Sequence, residues 1–284
     1  MSTQVLDGAT AQPAAPLTDL IDRYRGYWQE GFAPGTHQGL PSRYLTLIVS
    51  IEEPVDIVGM PDDAQSAEAF DAFVAGLHSS PAVVRHDGHQ RGVHVDLTPL
   101  GAHALLGMPA SAISSTVVNL RDAIGSRVDE LVDRVGEATS WRERFSAIDS
   151  VLGAALVDAP TPPAEVTWAW RRIVETGGAI EIAALADEVG WSRRHLGEKF
   201  RAEVGLSPKV AARVIRFERA CALLGRPNRP GLADVAASCG FFDQAHLTRE
   251  WRSLAGCTPT EWLADELAMG ELPSVQDDEL GAVA

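Results

Sequence analysis

One stretch of this chain occurs twice, as GWSRRHLGEKFRAEVGLSPK at 190–209 and as GFFDQAHLTREWRSLAGCTPTEW at 240–262. Before the turn the two copies are offset by 50 residues (Gly190 to Gly240), and after it by 51 (Leu196 to Leu247). The second copy therefore carries one extra residue in its turn. Two copies are too few for a solenoid. The repeat instead predicts two similar modules that present the same face to a periodic partner.

Each copy predicts two helices joined by a tight turn. In the second copy, Gly240 can adopt the left-handed conformation that ends a helix, and Asp243 can cap the next one. Leu247 and Trp251 are four residues apart and face inward, while Ala236 allows the two helices to cross closely. The first copy repeats this pattern. A helix-turn-helix of this kind places its second helix in the major groove of DNA.

The segment between the modules, PKVAARVIRFERACALL at 208–224, predicts a long helix. At ~1.5 Å per residue it would be about 25 Å long. With a module at each end, the two reading helices could lie about 34 Å apart, which is one turn of B-DNA. The spacing thus favours binding to two successive major grooves.

We expect the outward faces of the two reading helices to carry the DNA contacts. Arginine can bind both acceptors of guanine, glutamate can accept from cytosine, and glutamine can pair with adenine. The amides at the helix starts are candidates for phosphate contacts. The candidate DNA-binding residues are Ser192, Arg193, Arg194, Gly197, Glu198 and Arg201 in the first module, and Asp243, Gln244, Ala245, Thr248, Arg249 and Arg252 in the second.

Charge is distributed unevenly along the chain. The net charge is −15; residues 1–164 hold 10 Lys+Arg against 21 Asp+Glu, whereas residues 165–268 hold 14 of each. The second half is the least acidic part of the chain, without the basic bias typical of nucleic-acid domains. Charge alone therefore identifies no partner.

Composition, and the positions of the Pro- and Gly-containing breaks, predict an α+β chain of two domains. We expect a disordered arm at 1–18, a sensor or dimerisation domain at 19–158, a linker at 159–164, an all-helical domain at 165–268 and a disordered acidic tail at 269–284. The first domain should be a small sheet or barrel followed by helices. Its predicted strands are 43–51, 55–60, 73–78, 82–86 and 92–97, and its main predicted helices are 120–138 and 140–157. The helices predicted beyond the linker are 164–176, 180–189, 192–204, 208–224, 232–238, 243–254 and 259–268.

The first domain holds residue types suited to an effector pocket rather than to catalysis. Aromatic walls with a few polar anchors are typical of small-molecule sites, and the candidates are Trp28, His37, Arg43, Tyr44 and His94. His78, His86, His89, His94 and His103 lie close in sequence, but without a metal-ligand spacing. No nucleophile elbow, P-loop or dinucleotide fingerprint occurs. We therefore expect no catalytic residues, no metal and no cofactor.

The three cysteines, Cys221, Cys239 and Cys257, are predicted to be small buried residues, because they form no CxxC pair. The N-terminus lacks the basic start and apolar run of a secretory signal. No apolar run is long enough to cross a membrane. We expect a cytoplasmic protein without a membrane partner.

The run LADVAASCGFFDQAHLTREWRSLAGCTPTEW, at 232–262, resembles the signature of the AraC/XylS family of bacterial transcription regulators. The resemblance covers about 165–267 and implies a DNA-binding domain of two helix-turn-helix units joined by a long helix. It also implies base contacts from Arg194, Glu198, Gln244, Ala245 and Arg249. Glu198 departs from the family pattern, since many relatives have a basic or amide residue there.

The N-terminal half resembles more loosely the sensor domains attached to such DNA-binding domains in actinobacterial regulators. Those domains are often cupin-like small barrels that bind an effector or dimerise. The partners implied are double-stranded DNA, a small-molecule effector, a second copy of the chain and RNA polymerase.

Two alternatives to a DNA-binding regulator stay open. One is a helical scaffold that docks a protein and binds no DNA. The other is an effector-modifying enzyme fused to DNA-binding modules, although residues 1–164 contain no cysteine for thiol chemistry.

Overall fold

The N-terminal half is built from two antiparallel sheets. A computed structural model of the protein describes residues 4–158 and 161–268. The strands are β1 (Val5–Ala11), β2 (Ile21–Glu30), β3 (Gly35–Gly39), β4 (Leu45–Ser50), β5 (Val55–Gly59), β6 (Glu68–Phe70), β7 (Ala72–Ala75), β8 (Ala82–His86), β9 (Gln90–Leu97) and β10 (Val117–Asn119). One sheet has the order β1-β2-β9-β4-β7-β10 and the other β3-β8-β5-β6. The five predicted strands are present as β4, β5, β7, β8 and β9.

Residues 5–11 correct the prediction of a disordered arm at 1–18. They form β1, which pairs along its whole length with β2 at the edge of the larger sheet. Its side chains are mostly exposed, so the sequence lacks the apolar alternation by which a strand is recognised. Backbone hydrogen bonds to β2 hold such an edge strand without a buried face.

The predicted helix at 120–138 is two helices. The helical segments of this half are α1 (Ala102–Leu106), α2 (Leu120–Ile124), α3 (Arg127–Glu137) and α4 (Trp141–Ala155). Gly125 has a φ of 71° and a ψ of −152°, a conformation that ends α2. A capping box starts α4, with Ser140 and Glu143 each accepting from the other's backbone N–H.

The C-terminal half is entirely helical and agrees closely with prediction. Its helices are α5 (Ala164–Glu175), α6 (Ile182–Glu188), α7 (Arg193–Val204), α8 (Pro208–Leu224), α9 (Leu232–Ser238), α10 (Gln244–Ala255) and α11 (Pro259–Ala268). Together with the two sheets they confirm the α+β fold class. None of the helices in the described residues is long and apolar enough to cross a membrane.

The two halves share one continuous core. The main cluster of buried side chains runs from Leu47 and Val95 in the larger sheet to Phe200 and Trp251 in the helical half. A second cluster, around Phe73 and its neighbours, lies between the two sheets. The predicted domain limits remain predictions; residues 159 and 160 of the linker and the whole tail at 269–284 lie outside the described residues.

Candidate nucleic-acid interface and interdomain cavity

The first module is α6, a four-residue turn and α7. Gly190 has a φ of 71°, and the backbone N–H of Trp191 donates to Ala186 O at 3.0 Å. Ser192 then caps α7 by accepting from the N–H of His195 at 3.2 Å. The turn is therefore held by a backbone hydrogen bond and by the Ser192 cap. The first residues of α7 are exposed to solvent.

The second module, α9 and α10, repeats this arrangement. Gly240 has a φ of 73°, and Phe241 N–H donates to Ala236 O at 2.9 Å. Asp243 turns inward and accepts from His246 N–H at 2.6 Å. Phe242 lies between the aromatic and the capping residue, where the first module has no counterpart, and its side chain is 92% exposed.

Packing inside the two modules is also equivalent. An aromatic ring of each turn contacts a histidine of the reading helix, as Trp191 to His195 with 4.6 Å between centroids and Phe241 to His246 with 5.6 Å. The inward residues of the two reading helices, Leu196, Phe200, Leu247 and Trp251, are fully buried. The duplication seen in the sequence is therefore a duplication in three dimensions.

Arginines along α8 hold the second module in place. Arg213 binds Glu250 and donates to Ser253 Oγ at 3.4 Å. Arg216 Nη1 donates to Gly240 O at 3.3 Å, and Arg219 Nη2 donates to Ser238 O at 3.4 Å. The three arginines follow one another at intervals of three residues on one face of α8. Their side chains therefore contact α9, α10 and the turn between them.

Most of the twelve candidate DNA contacts are on the surface. Gly197 and Thr248 are half-buried, and the other ten are exposed. Thr248 Oγ1 donates to Gln244 O at 2.9 Å. Arg194 Nε and Glu198 Oε1 form an ion pair of 2.8 Å, with side chains 89% and 60% exposed. The hydrogen bond and charge of Arg194 lower the pKa of Glu198. An acid therefore neutralises a predicted base-reading arginine on the same face.

The C-terminal end of α7 is docked on the N-terminal half. His103 Nε2 lies 2.8 Å from Glu203 Oε2, and Ser111 Oγ donates to Ala202 O at 2.5 Å. Gly205, which ends α7 with a φ of 89°, packs so closely that a Cβ would lie 2.7 Å from Ser114 Cβ. One end of the first reading helix is thus fixed by the N-terminal half, while its other end faces solvent.

A cavity of about 260 Å³ lies between the two sheets and extends to the helical half. Its apolar walls include Ile48, Ile57 and Phe73 from the sheets, and Phe217 of α8 and Trp262 of α11 from the helices. The volume is near the lower end of the range for small-molecule sites. A molecule bound there would touch the sheets, the helix between the modules and the helix after the second module.

A polar cluster lies on the cavity face of the larger sheet. Arg25 Nη2 lies 2.9 Å from Asp96 Oδ1, and His94 Nε2 lies 3.1 Å from the same oxygen. Burial alone would raise the pKa of Asp96, but Arg25 and His94 outweigh it and the pKa is lowered. Burial, together with the charge of Arg25, lowers the pKa of His94. At neutral pH the cluster holds one cation, one anion and a neutral imidazole.

The predicted pocket residues have different positions. His37, Tyr44 and His94 line the cavity. Arg43 Nε lies 3.0 Å from Oε2 of Glu218, a nearly buried residue of α8 that lines the cavity. Trp28 lies under the guanidinium of Arg91, 4.3 Å from its ring centroid. Strand alternation puts it on the sheet face opposite to Arg25 and the cavity.

Sequence reasoning missed Arg25, Asp96, Glu218 and Trp262 as cavity residues. Glu218 carries a signal in retrospect: it follows Val214 by four residues, so an acid falls on the apolar stripe of α8. Arg25 had no such signal in the sequence, because the strand that carries it, β2, was not predicted.

Two family models match the chain. A helix-turn-helix domain model matches residues 185–265, which include both reading helices. The C-terminal half therefore contains a helix-turn-helix domain of the AraC type. A model described as a domain of unknown function, DUF6597, matches residues 9–119. This range contains strands β2 to β10 completely and the last three residues of β1. No curated protein matches the chain significantly.

Several solved structures share the fold. ToxT from Vibrio cholerae bound to (E)-4-(8-methylnaphthalen-1-yl)but-3-enoic acid is 11% identical, with a TM-score of 0.52 over 87% of this chain and 98% of that one. Wild-type ToxT with an unsaturated fatty acid bound is 12% identical, with a TM-score of 0.50 over 93% of this chain and 97% of that one. These similarities extend over both halves, so the two-domain arrangement is a known one. The helix-turn-helix match makes the chain a DNA-binding transcription regulator.

Proposed function

We propose that this regulator binds one face of duplex DNA by inserting α7 and α10 into two successive major grooves. The observation that carries the proposal is the duplicated module. Two turns closed by the same backbone hydrogen bond, each followed by a capped helix with an exposed face, come one before α8 and one after it in the chain. The exposed arginines would supply phosphate and guanine contacts. Sequence preference would come chiefly from Arg194, Glu198, Gln244, Ala245 and Arg249.

We further propose that the cavity is an effector site. It touches α8 and α11 directly, and the same N-terminal half holds the end of α7. A bound molecule that favours one arrangement of these contacts would shift the population of the DNA-competent state by its difference in affinity. The fatty acid in ToxT supports a ligand site in this fold.

The other proposed partners are a second copy of the chain, bound through the N-terminal half, and RNA polymerase. Both are expected of a bacterial regulator that acts in the cytoplasm without catalysing a reaction. The symmetry of the selected DNA site, read from the experiment below, would report whether one or two chains bind.

The first test is selection of duplexes from a random pool by the full-length protein, followed by the Arg249→Ala variant on the selected site. Arg249 is exposed on α10, so its loss should cost about 1–3 kcal/mol at that site and relax the preference at one base pair. Fluorescence anisotropy with matched and mismatched duplexes measures both quantities.

Arg142→Ala is the matched control, since Arg142 is an exposed arginine of α4 in the N-terminal half. It should bind like the parent protein. Unchanged binding by Arg249→Ala would contradict the role given to α10, and enrichment of no duplex at all would favour a protein-docking domain instead.

A further inference from the structure

The charged groups that line the cavity are predominantly acidic. Among the described residues, the lining contains one guanidinium, Arg25, and three carboxylates, Asp96, Glu218 and Glu266. Since Arg25 lies 2.9 Å from Asp96, its charge is already balanced within the cavity wall. The nearby guanidinium of Arg43 is engaged in the same way by Glu218.

The three imidazoles of the lining add no positive charge at neutral pH. Burial lowers the pKa of His37 to about 4, with help from His86. Burial likewise lowers the pKa of His78 and of His94. Neutral imidazoles can donate one hydrogen bond and accept another, so they suit an uncharged polar group.

The helical wall combines acids with aromatic rings. Glu218 and Glu266 lie on the same side of the cavity as Phe217 and Trp262. Aromatic faces attract cations and repel anions. The rest of the lining is largely apolar, with Ile57 and Phe73 among the side chains from the sheets.

We infer that the cavity takes a neutral or cationic molecule with an apolar body, and that it excludes carboxylates and other anions. An anion would enter a site whose fixed charges sum to a negative value and whose cations are already paired, and it would lose its hydration without compensation. The inference rests on the proposed effector site and adds the chemical class of the effector.

The test uses sets of three probes that share one apolar body and differ only in the polar group: phenylbutyrate, phenylbutanol and phenylbutylammonium, and the corresponding naphthyl set. Calorimetry and thermal unfolding with the full chain measure binding at neutral pH. The alcohol and the ammonium should bind at least about tenfold more tightly than the carboxylate on the same body.

Thr46→Phe separates cavity binding from adsorption to an acidic surface. Thr46 lines the cavity from β4, so the larger ring would occupy space that a probe needs. Probes that bind in the cavity should lose their affinity for this variant, whose fold is checked by circular dichroism and by binding to the selected DNA.

Glu266→Lys tests the role of charge directly, with Asp265→Lys as its matched control. Glu266 lines the cavity, whereas its neighbour Asp265 is exposed outside it, and both changes alter the net charge equally. The carboxylate probes should gain about tenfold or more in affinity for Glu266→Lys and show no gain for Asp265→Lys.

Each outcome decides between the two proposals. Tighter binding of the carboxylates to the parent protein, or an equal gain in both lysine variants, would overturn the inferred charge preference and leave the effector site standing. If no probe binds the parent protein better than Thr46→Phe, the effector site itself fails, and the inferred ligand class fails with it.

Discussion

Glu198 is the residue that most distinguishes the two reading helices. It forms an ion pair with Arg194 on the face that would meet DNA, whereas the corresponding face of α10 carries Ala245 and Arg249. A surface pair of this kind contributes little to stability. The pair should instead lower the affinity for DNA, because the carboxylate of Glu198 would repel the phosphates and compete with DNA for Arg194.

We predict that Glu198→Gln binds unrelated duplexes several-fold more tightly than the parent protein does, and that it prefers the selected site less. The loss of one acid facing the backbone should also steepen the dependence of affinity on salt. Anisotropy titrations at two salt concentrations measure both effects.

Glu130→Gln is the control for this change. Glu130 forms a similar ion pair with Arg134, four residues away on α3 in the N-terminal half. Its removal should leave DNA affinity unchanged. Unchanged or weaker binding by Glu198→Gln on unrelated duplexes would contradict the repulsion assigned to this carboxylate.

At the scale of elements, α7 differs from α10 in having its C-terminal end fixed by the N-terminal half. Gly205 is central to this contact, since its left-handed backbone and its close approach to Ser114 both exclude a side chain. Gly190, in the turn before α7, has a similar φ but no atom within 4 Å of an added Cβ.

We predict that Gly205→Ala destabilises the protein more than Gly190→Ala does. An alanine in the left-handed region costs roughly 1–2 kcal/mol at either position, but only at 205 must the neighbouring segment also move. Urea unfolding measures the difference in the free energy of unfolding. Equal losses in the free energy of unfolding for the two variants would mean that the segment around Ser114 moves aside without an energetic penalty.

The elements also differ in how well the sequence predicts them. The helices of the second half were located to within two residues, because glycines, caps and an apolar period of three to four mark their ends. In the first half, β2 escaped detection: IDRYRGYWQE has few β-branched residues and contains an irregularity between Ile21 and Arg23 that interrupts its alternation. The faces of the reading helices follow from their period alone, but their use as DNA contacts remains a prediction.

At the scale of the whole molecule, the two halves are joined by a common core. The cavity belongs to neither half alone, because its charged residues come from β2, β9, α8 and α11. No local pattern could have brought Arg25, Asp96 and Glu266 together. Arg25 and Asp96 meet because β2 pairs with β9, and Glu266 joins them around the cavity only through the docking of the halves.

We predict that the sheets and the helical half unfold in one transition. Separation of the halves would expose buried apolar surface on both sides, so neither is expected to persist alone. Hydrogen exchange in increasing urea should give the amides of β9 and α8 the same opening free energy. Exchange of α8 through a lower-energy opening, with β9 still protected, would contradict this prediction.

The extra residue of the second turn also has a practical consequence. Phe242 is almost fully exposed beside the start of α10, so chemical change of its ring should disturb no packing. A fluorinated phenylalanine at this position would give a resonance from the one turn whose length departs from the repeat. Its chemical shift would then act as a local reporter of operator occupancy, read in solution without any change to the residues proposed to contact the bases.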